Sequence, residues 1–111
     1  MAKPAAKAKS PPSPAPAAPA GLSPEMARWW GEVLKEHKLE PHRLHLLELA
    51  CRAKDRCAAA GAVIAQDGAT YIDRFGAPRT RPEVAIERDS RQAFVRLLLA
   101  LDLRPPSPFD F

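Results

Sequence analysis

Apolar positions along the chain fall into three stretches with helical spacing, separated by short proline- or glycine-marked breaks. Ser23 is a favourable N-cap, Pro24 fits the first helical position, and Glu25 sits where the helix dipole favours an acid. Met26, Trp30, Val33, Leu34 and His37 follow at helical intervals with Trp29 at the edge of the stripe, which predicts a first helix over 24–38. Pro41 opens a second helix and Gly68 closes it as a C-terminal cap, giving a segment over 41–67 that is about 40 Å long if straight. Its apolar residues occupy two faces. Leu44, Leu47, Cys51, Ala58 and Ala65 form one; Leu46, Leu49, Ala53, Cys57, Ala60 and Ile64 form the other. Two apolar faces require two sets of neighbours, and alanines allow close approach, so the second face, with Trp29, is expected to contact another copy of the chain. A third helix is predicted over 82–102, burying Ile86, Ala93, Phe94, Leu97, Leu98 and Leu101 and exposing Glu87, Arg88, Asp89, Arg91 and Gln92.

The connection 69–81 is long for a helical domain. Thr70, Tyr71 and Ile72 favour extended backbone and Phe75-Gly76-Ala77-Pro78 reads as a turn, so a short β-hairpin fits here as well as a loop. The expected architecture is all-α: a long helical hairpin with a shorter N-terminal helix packed at its base, flanked by disordered tails.

Composition supplies the tails. Residues 1–20 consist of alanine, proline, lysine and serine after Met1, a mixture without the apolar surface needed to offset the entropy of ordering. Residues 105–111 hold three prolines and end in Pro-Phe-Asp-Phe. The domain is therefore expected over 21–104, a size at which one core is marginal and association helps. The net charge of +4 is uneven, with Lys3, Lys7 and Lys9 in a tail that has no acid and three arginines against two aspartates over 67–82. A basic excess favours an acidic partner such as nucleic acid. No apolar run is long enough to span a membrane, and no apolar segment follows the N-terminal lysines as in a secretory signal. Cys51 and Cys57 are separated by about 9 Å of helical rise, too far to bridge, which suits a reducing cytoplasm.

Catalytic signals are missing from the sequence. There is no glycine-rich phosphate loop, no nucleophile elbow and no carboxylate pair bracketed by histidine, so the chain is expected not to be an enzyme and to need no cofactor. His42 and His45 with Glu48 could share a helix face near His37, but histidines at a helix start are ordinarily solvated, and no metal is assigned. Arg43, Arg52 and Arg56 on the second helix, and Arg74, Arg79 and Arg81 among Tyr71, Phe75 and prolines in the connection, are candidates for phosphate contact together with the tail lysines. The plainer reading is a solvated charged face and a packed connector. Phe109 and Phe111 could form a short docking motif on the C-terminal tail.

The stretches GLSPEMARWW (Gly21 to Trp30), LHLLELACRAKDR (Leu44 to Arg56) and above all YIDRFGAPRTRPEVAIERDSRQAF (Tyr71 to Phe94) resemble the small subunits of tailed-phage terminases. The resemblance covers about 21–103. It implies a non-enzymatic component of a genome-packaging machine, acting in the cytoplasm of the bacterial host. Such a protein recognises double-stranded viral DNA, assembles into a ring-like homo-oligomer and regulates a large subunit carrying ATPase and nuclease. Many such small subunits have a separate helix-turn-helix domain, for which this chain has no room, so DNA-contacting residues are not carried over. The other function considered is a helical protein-interaction adaptor without a DNA role, whose basic tail only solubilises it.

Overall fold

The computed structural model describes residues 15–104, and within them the order is α1 (Pro24–Glu36), α2 (Pro41–Asp67), β1 (Thr70–Ile72), β2 (Pro78–Thr80) and α3 (Pro82–Leu101). The helix starts are where the proline and cap chemistry place them. The Ser23 hydroxyl accepts the Met26 N–H at 3.1 Å, and Pro41 and Pro82 each stand in the first turn, where a missing N–H costs nothing. Gly68, at φ +87°, turns the chain out of α2 in a conformation that a side chain would resist. The expected ends at 38 and 102 move inward: α1 stops at Glu36 because His37 is already extended, and Asp102 caps α3 in the left-handed region.

α2 and α3 form an antiparallel helical hairpin. The Arg43 guanidinium meets the Leu101 carbonyl at one end, and Arg56 and Cys57 face Ser90 and Glu87 midway. The β1–β2 ribbon closes the other end. The fold is thus mostly helical rather than strictly all-α, because the 69–81 connection pairs as a ribbon.

α1 packs across the N-terminal half of α2 and the end of α3. Met26, Trp30 and Val33 meet Leu47, Ala50, Cys51 and Leu101 in the buried core, and Trp29 tilts against Phe94 with ring centroids 5.9 Å apart. Both apolar faces of α2 therefore have neighbours inside the chain: α1 covers one and α3 the other. This corrects the expectation for the second face. Ala53 and Ala60 are buried, and Cys57 lies against α3 with its thiol 3.4 Å from Glu87, so these three residues close the hairpin. Trp29 likewise contacts Phe94 within the chain, and Leu46 packs against the core. Ile64 is half-buried, whereas Leu49, at the margin of the stripe, is 53% exposed. On the α1 side Ala58 and Ala65 are exposed, because a 13-residue helix covers only part of a 27-residue one.

Of the expected stripe of α3, Leu101 is buried and Ala93, Phe94, Leu97 and Leu98 are half-buried, and the departure lies at its start. Ser90 is buried and Ile86 exposed, and Glu87 turns toward Cys57. The α2-facing series runs 87, 90, 94, 97 and 101, a regular i+3/i+4 ladder in which two polar members find partners on α2. Residues 15–20, which composition assigns to the tail, lie against the domain: the Trp30 indole N–H donates to the Pro16 carbonyl at 2.9 Å and Ala18 packs on the core. The indole donor needs an acceptor in a buried setting, and the chain before α1 supplies it.

Asp55 fixes α1 to the middle of α2, accepting from the Ser23 backbone N–H at 2.8 Å and its hydroxyl at 2.6 Å. Removing the acceptors with Asp55→Ala is expected to cost about 1–3 kcal/mol in denaturant unfolding. Unchanged stability would mean that α1 is held by apolar contacts alone.

Candidate functional site

The six arginines expected to contact phosphate are not brought together. Arg43 and Arg56 are thirteen residues apart on α2, so they project about 140° apart around a helix of 3.6 residues per turn. Arg43 is half-buried and engaged with Leu101. Arg52 forms an ion pair with Glu48 at 2.9 Å and donates to the Ala20 carbonyl at 3.2 Å. Arg56 is exposed, its Nε 3.3 Å from the buried Ser90 hydroxyl. The α2 arginines thus brace α1 and α3 as much as they charge the surface. Lys3, Lys7, Lys9, Phe109 and Phe111 lie outside the described residues.

The ribbon gathers the other three. Its register pairs Thr70 with Thr80, Tyr71 with Arg79 and Ile72 with Pro78. Side chains alternate between faces along a strand, so Tyr71 and Arg79 lie on one face, with Thr70, Ile72, Pro78 and Thr80 on the other. Every strand residue is exposed, which means that neither face rests on the helices. Isolated two-stranded hairpins are marginal in water, so this one needs local ties.

Asp73 provides most of them. Its Oδ1 accepts the Phe75 and Ala77 N–H groups at 2.8 and 2.9 Å, and its Oδ2 accepts Arg79 Nε at 2.9 Å. Gly76, at φ +79°, allows the loop to turn back beneath that carboxylate. The Ala77 N–H first, and then the Arg79 guanidinium, hold the Asp73 carboxyl below the usual carboxylate range. Arg81 braces the base, donating to the Asp67 carbonyl at 3.2 Å with its guanidinium 5.7 Å from the Tyr71 ring centre. At the tip, Arg74 lies 4.9 Å over the ring of Phe75, which is 78% exposed. Among the described residues Arg74 has no carboxylate partner.

No family model, curated protein or solved structure matches this chain.

The two thiols offer little chemistry. Burial pushes Cys51 up to about 11, and burial with the Glu87 hydrogen bond raises Cys57. Arg91, and then Cys57, lower Glu87 in turn. Among the described residues no group of three or more His, Cys, Asp or Glu side chains lies close enough to hold a metal ion. The hollow bordered by Trp29, Val33, His37 and Leu103 is open to solvent. Among the described residues no helix is long and apolar enough to cross a membrane.

Asp73 as the organiser of the ribbon and Ser90 as a buried partner of Arg56 are absent from the residues expected to matter from the sequence. An aspartate two residues before a Phe-Gly turn is the signal for the first, since such side chains cap their own turns. Ser90 has no comparable local signal.

Proposed function

We propose that this chain is a phage terminase small subunit: a non-enzymatic, oligomeric protein that binds double-stranded viral DNA and regulates the large ATPase and nuclease subunit during genome packaging. The observation that carries the reading is the ribbon with its arginines, set on the end of the α2–α3 hairpin. All of it but Thr70 falls within Tyr71–Phe94, the stretch in which the resemblance is most specific. Arginine presented beside exposed aromatics is a suitable chemistry for phosphate and base contact.

Self-association is supported by apolar side chains left uncovered on two different surfaces. Leu49 and Ile86 border the α2–α3 seam on the side of Arg56, while Val95 (50% exposed) and Leu99 (75% exposed) stand on the back of α3. Two unlike patches are what a closed, head-to-tail ring requires. Under this reading the protein works in the cytoplasm of the bacterial host, and Phe109 and Phe111 dock on the large subunit.

A protein-interaction adaptor is the second reading, favoured by Ile72, which is 67% exposed on the neutral face of the ribbon. Light scattering of the native chain over a concentration series tests the assembly. A mass several times 12.1 kDa that holds on dilution is expected. A stable monomer without DNA affinity would leave the adaptor.

A further inference from the structure

We infer that the β1–β2 ribbon is the element that enters a groove of the DNA duplex, with Arg74 and Phe75 leading and Asp73 positioning them; this rests on the DNA-binding reading above. The first reason is shape. An element that docks on a flat surface needs one contact face, but this ribbon has exposed residues on both faces. Such a shape suits a site that encloses it from two sides. The major groove of B-DNA, about 12 Å wide and 8.5 Å deep, admits a two-stranded ribbon, and three-residue strands reach about 10 Å.

The second reason is the division of labour among the charges. Arg79 is tied to Asp73 and Arg81 to the end of α2, so both hold the ribbon in shape. Arg74 lies outside those ties, at the tip, stacked on an aromatic ring that is itself exposed. A guanidinium there can reach a phosphate or a guanine edge, and Phe75 can contact a thymine methyl or wedge against a base step. On the neutral face, Thr70 and Thr80 add hydroxyls able to pair with either donors or acceptors.

The third reason is preorganisation. Three hydrogen bonds to one carboxylate fix the tip before any ligand arrives, so less conformational freedom is lost on binding. Asp73 is a positioning residue, and its role has an unusual signature. Removing an acid makes the chain more basic, which should strengthen purely electrostatic binding, yet Asp73→Ala is expected to weaken it.

The test is fluorescence anisotropy of a labelled DNA duplex with the full chain over a salt series, with the solution mass of each variant measured alongside. The double variant Arg74→Ala/Phe75→Ala removes two exposed side chains and should leave the fold intact. Its expected affinity is at least tenfold lower, with the salt slope reduced by about one and the mass unchanged. Asp73→Ala is expected to lose affinity several-fold with little change in slope. Native protein that ignores DNA at low salt would remove the DNA-binding reading and this inference together. Native binding with the double variant within twofold would overturn the inference alone and place the contact elsewhere. A double variant that keeps its DNA affinity but loses mass would show that a second copy of the chain occupies the ribbon, and would also overturn it.

Discussion

Leu47→Ala is expected to destabilise the domain by roughly 2–5 kcal/mol, the largest effect of any single truncation considered in this chain. Leu47 is fully buried and belongs to a cluster to which all three helices contribute, with Met26, Trp30 and Val33 from α1 and Leu101 from α3. Truncation there loses both the transfer free energy of the removed carbons and the contacts around the cavity left behind. In a domain of this size each kcal/mol corresponds to about 4–8 °C, so the melting temperature should fall by at least about 8 °C. Leu49→Ala is the matched control. At 53% exposed, Leu49 should change monomer stability by no more than about 0.5 kcal/mol. A large effect at Leu49 together with a small one at Leu47 would mean that the core lies on the other face of α2.

Arg43→Ala is expected to cost about 1.5–3 kcal/mol of stability while leaving the DNA affinity of the folded protein within a few-fold of native. Arg43 is half-buried and donates to the Leu101 carbonyl at the last turn of α3. That turn carries no basic residue of its own, so the guanidinium from α2 serves both the unsatisfied carbonyl and the negative end of the helix dipole. Urea unfolding and duplex anisotropy on the same preparation separate the two roles. Native stability with weakened, less salt-dependent DNA binding would instead make Arg43 a phosphate contact.

Much of the fold was legible because its boundaries rest on residues with few alternatives. Pro24, Pro41 and Pro82 each open a helix, and Gly68 is the residue able to leave α2 at positive φ. The two faces of α2 were visible in spacing, but spacing does not say what covers a face. The return of α3 along α2 was expected, but Ala53, Cys57 and Ala60 read as a surface for a second copy because spacing does not say which face the returning helix covers. The same blindness missed the start of the α3 stripe, where Ser90 is buried and bonded to Arg56, a relation thirty-four residues long. Charge patterns were the poorest guide. Nothing adjacent in the sequence distinguishes Arg43, Arg52 and Arg81 from free surface arginines, yet each is held by a backbone carbonyl. Arg74 differs from them only through the turn that Asp73 builds.

The native chain is expected to bind duplex DNA through the charge of the phosphate backbone, and co-sedimentation with a labelled duplex across a salt series tests this most directly. The duplex is expected to sediment with the protein at about 50 mM salt and to be released steeply by about 200 mM. Folded protein that leaves the duplex unsedimented at the lowest salt would contradict it.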